Sequence, residues 1–178
     1  MDTSMYGIIV NSLSAHVAVL DEKGVIVKTN RAWREFGLQN GMEGRPDSIG
    51  VNYLDICEMA AADGEREGEL VAIGIEKILS GELLEYVIQY PCHSPTRRRW
   101  FNLRLLPYLS EYEHWVLVVH EDVRTAAKPN GDLRHAAVFV ARGVRHRNLV
   151  RVVHVNVFLR LRCYGTTWRR WLRRVLLP

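Results

Sequence analysis

The chain is poor in cysteine, and the three it has, Cys57, Cys92 and Cys163, are scattered. No C-x-x-C spacing joins them, which excludes a disulfide framework and a cysteine-based zinc site. No uncharged apolar run approaches the ~20 residues needed to cross a bilayer. The opening Met1-Asp2-Thr3-Ser4 has no basic region leading into an apolar one, so no signal peptide is expected and a reducing, cytoplasmic setting is the default. Catalytic signatures are missing too: there is no Gly-rich phosphate loop ending in Lys-Ser/Thr, no His-Glu-x-x-His and no Gly-x-Ser-x-Gly. The phospho-acceptor and ATP-binding boxes of a histidine kinase and the Gly-Gly-Asp-Glu-Phe segment of a cyclase are equally absent. An enzyme is therefore not expected.

Acidic residues are nearly absent from one end. Residues 124–178 hold 13 Lys/Arg and one acid, a net of +12, whereas residues 1–123 hold 11 Lys/Arg against 19 Asp/Glu, a net of −8. The whole-chain charge of +4 hides this break. Two segments so different in composition read as separate units, 1–123 and 124–178. At 178 residues with 48% apolar composition, the chain can bury one ordinary core and carry an extension.

What is present begins with a hairpin. His16–Leu20 and Val25–Lys28 are short β-rich runs, and Asp21-Glu22-Lys23-Gly24 between them supplies the turn, Gly24 taking the positive φ. Asn30 suits a helix N-cap, Trp33 and Phe36 share one helical face, and Gly37 fits the helix end. Residues 39–50 read as a loop, and 52–57 as one further helical turn. A longer helix is expected from Glu65 to Ser80, with acids crowding its positive end and Leu70, Ile73, Ile78 and Leu79 recurring at helical spacing. Gly81 follows as the stop. Three strands then follow: Leu83–Tyr90, Arg98–Leu106 and His114–His120. The expected class is α+β, a five-stranded antiparallel sheet with helices packed on one face, plus a poorly defined basic C-terminal tail.

The residues themselves carry a family resemblance. The run from His16 to Val27, then Thr29-Asn30-Arg31-Ala32-Trp33, resembles the start of bacterial PAS domains, in which an Asn closes the second strand and opens the first helix. The segment from Gly50 to Cys57 looks like their middle. Tyr90-Pro91-Cys92-His93-Ser94-Pro95 is similar to the connection between the next two strands in one bacterial PAS subgroup, found attached to histidine kinases, diguanylate cyclases and regulators. Glu121-Asp122-Val123 resembles the Asp-Ile-Thr ending at which such domains pass into an effector linker, although Arg124 stands where Thr is usual.

The resemblance implies a sensory input domain of a two-component type system. It would bind a small ligand or a partner and relay a change through the end of its last strand, at Glu121, Asp122 and Val123. Trp33, Phe36, Ile73, Trp100, Asn102 and Trp115 are the ligand-pocket candidates, with ordinary core packing as the competing account for the tryptophans. Cys92 and His93 are candidates for redox sensing or metal binding, against a plain turn bracketed by prolines. No cofactor is expected. Haem is disfavoured because such domains usually take its axial His from the long helix, which here has none, while a redox flavin stays open. Asn52–Cys57 does not match the reactive-cysteine motif of blue-light flavin domains. A homodimer is implied, with Met5–Leu13 a short contribution to the interface, and the effector would be a histidine kinase or diguanylate cyclase. For the tail three readings compete: an interfacial helix on anionic membrane lipid, phosphate-mediated binding to nucleic acid, or an unselected, poorly ordered extension such as a shifted reading frame encodes.

Overall fold

The computed structural model describes residues 4–40, 42, 44–91, 100–109 and 114–123, together with two strands in the tail. Helix α1 (Met5–Ser12) leads into strands β1 (His16–Leu20) and β2 (Ile26–Thr29). Helices α2 (Arg31–Gln39), α3 (Tyr53–Ala62) and α4 (Arg66–Leu79) follow, then β3 (Glu85–Pro91), β4 (Trp100–Leu109) and β5 (His114–Asp122). These five strands lie antiparallel in the order β2-β1-β5-β4-β3, so the two ends of the segment meet in the middle of the sheet.

Local chemistry explains the hairpin. Gly24 has φ +80°, and the Asp21 carboxylate accepts from the backbone N–H groups of Lys23 and Val25, both at 2.9 Å. Such an Asx turn mimics a backbone turn and reverses the chain between the two strands. Segment 52–57 forms more than the single turn expected from sequence. The Asn52 side chain accepts from the Leu54 N–H and opens a ten-residue helix, α3, which lies against α4. Close approach of these helices depends on Gly68, where an added Cβ would sit 2.5 Å from the Cys57 carbonyl oxygen.

The core lies between one face of the sheet and the helices. Alternate residues supply it: Ala18 and Leu20 from β1, Tyr86, Ile88 and Tyr90 from β3, Phe101, Leu103 and Leu105 from β4, and Val116 and Val118 from β5. Helix α4 covers them with Val71, Ile75 and Ile78, a stripe at helical spacing. Of the four residues expected at helical spacing, Ile78 is buried and Leu70 and Leu79 pack against the core, whereas Ile73 is 38% exposed.

Tail residues also join the sheet. Strand β6 (His135–Ala141) pairs antiparallel with β3, and β7 (His154–Arg160) with β6, extending the order to seven strands. Val-rich runs pair readily in extended form, and the edge of β3 offers the unpaired backbone groups they need.

Asn30 ties this frame together. It is 1% exposed and uses its whole amide. Its Oδ1 accepts from the N–H groups of Trp33 (2.9 Å) and Val17 (3.0 Å), capping α2 and holding β1. Its Nδ2 donates to the carbonyls of Ala15 (2.8 Å) and Val10 (3.1 Å), fixing the end of α1. Replacing it with alanine strips a cap and leaves buried backbone groups unsatisfied. Asn30→Ala should cost about 2–4 kcal/mol in urea unfolding followed by tryptophan fluorescence. A loss under about 0.5 kcal/mol would show that the four bonds do not hold these elements.

Candidate functional site

Three polar rings meet inside the apolar core. His120 occupies the core face of β5 after Val116 and Val118, and is 4% exposed. The Tyr53 hydroxyl, from the first turn of α3, lies 3.1 Å from its Nε2. The Tyr90 hydroxyl, from the end of β3, lies 2.7 Å from its Nδ1. A neutral imidazole has one donor and one acceptor nitrogen, so one tyrosine donates to it and the other accepts from it. Both ring nitrogens are thereby satisfied without any charge.

Aromatic rings enclose this group. The Trp33 indole meets the His120 ring edge-on at 5.7 Å, and Tyr90 stacks on Phe101 at 6.1 Å. Directly opposite His120 in the β1–β5 register stands His16, whose ring lies 4.3 Å from Phe36 and 5.8 Å from Phe101. The Trp33 indole N–H donates to the Ser48 hydroxyl at 3.4 Å, a long bond, and Ser48 is itself held at the left-handed φ of +53°. Besides the aromatic residues and Cys57, the buried polar side chains among the described residues are Asn30, Ser48 and His120, and no Asp, Glu, Lys or Arg is buried.

Burial sets the protonation states. It depresses the pKa of His120 from its usual 6.5 to about 3, with the neighbouring His16 adding to the effect, so the ring is neutral at physiological pH. Burial pushes the Tyr53 phenol well above its ordinary value, and the nearby Cys57 pushes it further. Cys57, one turn along α3, is pushed up to about 12 by burial and then by the Glu58 charge, which keeps it a protonated, unreactive thiol.

The sequence-derived candidates divide sharply. Trp33 is buried in the core and Phe36 packs against it. Trp100, Asn102 and Trp115 do not join them. Strand alternation places Trp100 and Asn102 opposite in sense to Phe101 and Leu103, and Trp115 opposite to Val116, so all three are on the sheet's other face. There Trp115 stacks on Tyr108 at 5.9 Å, and Asn102 accepts from the Gln89 amide at 3.1 Å. Exposed Ile73 is likewise outside the cluster. Glu121 is exposed, and the Val123 N–H, one residue past the end of β5, donates to the Trp100 carbonyl at 2.8 Å. Cys92 and His93 lie outside the described residues. No group of three metal-ligating side chains occurs among the described residues, and no helix among them is long and apolar enough to cross a membrane. Tyr53, Tyr90 and His120 were not among the sequence candidates. The signal for His120 was its alternation with Val116 and Val118, which puts a histidine on an otherwise apolar face.

No protein-family model matches the chain. A 101-residue stretch is 34% identical to the "Uncharacterized 104.1 kDa protein in hypE 3′region" of Rhodobacter capsulatus, covering 56% of this chain and 11% of that protein. The chain thus spans about a tenth of that relative's length. Solved structures similar to it include the PAS domain of a Colwellia psychrerythraea protein (13% identity, 66% of this chain, 93% of that one, TM-score 0.45). Another is the PAS domain of nitrogen regulation protein NR(II) from Vibrio parahaemolyticus (11% identity, 68% and 100%, TM-score 0.42). Over residues 1–123 the antiparallel order of five strands with helices, as the sequence resemblance implied, is the architecture observed. In this fold the histidine–tyrosine group sits between sheet and helices.

The histidine gives the fold a pH dependence of known sign. Its native pKa lies below the unfolded value, so the unfolded chain binds the extra proton and stability falls as pH drops from about 6.5 towards 3. Between pH 6.5 and 4.5 the loss from this group should be roughly 2–3 kcal/mol. Glu65, pushed up to about 7 by partial burial and its acidic neighbours, works in the opposite sense over part of that range. The difference between wild type and His120→Phe isolates the histidine. The variant should lose less stability than wild type between pH 6.5 and 4.5, and parallel pH profiles in urea unfolding would contradict a buried neutral His120.

Proposed function

We propose that residues 1–123 form a sensory input domain with a binding rather than a catalytic role. It binds a small ligand or partner beneath the sheet and passes the change out through the end of β5 at Glu121, Asp122 and Val123. The observation that supports this most is the placement of His120. One side chain links α3 through Tyr53, β3 through Tyr90 and β5 through its own backbone, three residues before Val123. A shift of either tyrosine acts directly on the strand that leads out of the domain. The output module, of the histidine kinase or diguanylate cyclase kind, belongs to a larger assembly.

The link has a local test. In hydrogen–deuterium exchange of the full chain, His120→Phe should speed exchange at the Val123 amide by about tenfold, the effect of losing roughly one buried hydrogen bond, while the β1–β2 hairpin is unchanged. Unchanged protection at Val123 would sink the relay.

A homodimer is part of the same proposal. Helix α1 carries no charged residue and exposes Met5 (74%), Tyr6 (81%), Ile8 (63%) and Ile9 (53%), an apolar surface unusual for a free helix. Light scattering after size exclusion should give twice the chain mass for wild type and the monomer mass for Ile9→Glu. A monomeric wild type at micromolar concentration would remove the dimer from the proposal.

A further inference from the structure

The two edges of the five-stranded sheet differ. Strand β2, at one edge, has four residues and carries Lys28, and short charged edges resist pairing with other chains. Strand β3, at the other, has seven residues, Glu-Tyr-Val-Ile-Gln-Tyr-Pro, with a charge and a proline only at its two ends. An edge of that kind presents a row of backbone N–H and C=O groups that must be covered or will pair with another strand. Here β6 covers it, antiparallel, in the register from Glu85↔Ala141 to Gln89↔Ala137.

This cover is an addition to the domain rather than part of its core. β6 lies against β3 on one side and β7 on the other, and no helix makes a contact of comparable extent with either tail strand. The charge of the sequence breaks between the same two segments, from −8 over residues 1–123 to +12 over residues 124–178. Among the described residues, backbone pairing along β3 is the main contact that joins them. Such pairing asks for an extended segment of the right polarity more than for one particular sequence.

The connection leaves β6 free to depart and return. Asp122 of β5 stands opposite Phe101, Phe101 opposite Tyr90, and the neighbouring Gln89 opposite Ala137, so β5 ends and β6 begins at the same end of the sheet. Three strand spacings separate them, about 14 Å. Residues 123–134 reach up to roughly 40 Å when extended, so β6 is tethered near the edge without being forced onto it.

From these observations we propose that the outer edge of β3, Glu85–Gln89, is a strand-docking site. The chain's own β6 is its resident occupant, and the partner it fits is an extended, uncharged, proline-free peptide segment of small, β-branched and aromatic residues, running antiparallel to β3 as His135–Ala141 does. Such a partner docks by displacing β6. The site ends one residue from Tyr90, so a change of occupant acts on the strand whose tyrosine hydroxyl bonds His120. The docking site goes beyond the input-domain reading and does not depend on it.

Two proline variants of the full chain test the site. In a strand flanked on both sides, successive N–H groups point to opposite neighbours, so Val138→Pro and Phe139→Pro between them remove one bond to β3 and one to β7. Hydrogen–deuterium exchange at the amides of residues 85–89 should quicken at least about tenfold in one or both variants, while those of His16–Leu20 stay protected. The probe for the opened edge is a peptide of residues 134–142, Arg-His-Ala-Ala-Val-Phe-Val-Ala-Arg. By calorimetry it should bind the opened variant at least about tenfold more tightly than wild type, in which the tethered β6 competes. The same peptide carrying both prolines should not bind. Unchanged exchange at residues 85–89 in both variants, equal or no binding of the peptide, or binding of the proline peptide overturns the proposal. So does loss of protection at His16–Leu20 in both variants, which would make the tail strands part of the domain's own fold.

Discussion

A histidine buried in an apolar core must either be neutral and bonded at both nitrogens or disrupt the core around it. His120 takes the first course, and much of the domain is arranged to permit it. Tyr53 reaches it because Asn52 caps α3 and starts that helix with its first side chain turned inwards. Tyr90 reaches it because β3 and β4 pair in a register that puts Tyr90 opposite Phe101, on the same face as His120. Shifting either element by one residue would carry the hydroxyl to the wrong side of its strand or helix. The group therefore reports on the placement of α3, β3 and β5 together.

The frame that fixes these elements is made largely from local chemistry. The Asp21 turn sets the first hairpin, and Asn30 fastens the hairpin to α1 and α2 with four hydrogen bonds from one amide. Because β1 pairs with β5 along its length, that frame also positions the strand bearing His120. His16 stands opposite His120 in this pairing, so a charge on the outer histidine opposes one on the inner. Short-range turn and cap chemistry thus reaches the site through one strand pair.

How much of this was legible in the sequence follows from the range of each interaction. The hairpin, the Asn30 cap and the order of strands depend on residues close together, and residue type alone announces them. Helix α3 was underestimated because Tyr53–Ala62 has weak periodicity of its own and is held by packing on α4 through Gly68. Trp100, Asn102 and Trp115 looked like pocket residues because of their size and polarity, yet strand phase decides facing, and Phe101 and Val116 hold the inward phase. The meeting of Tyr53, Tyr90 and His120 joins positions 67 and 30 residues apart and needs the folded register to be seen.

The protonation and bonding of His120 can be observed directly. Two-dimensional nitrogen–proton spectra of the imidazole rings in the full chain, recorded from pH 8 to pH 4.5, follow each histidine through its titration. A ring that stays neutral in a single tautomer over that whole range, with its signal lost or altered in His120→Phe, is the result expected for a group held between Tyr53 and Tyr90. If His120 titrates with a midpoint near 6.5, it is solvated rather than enclosed, and the site described here does not exist.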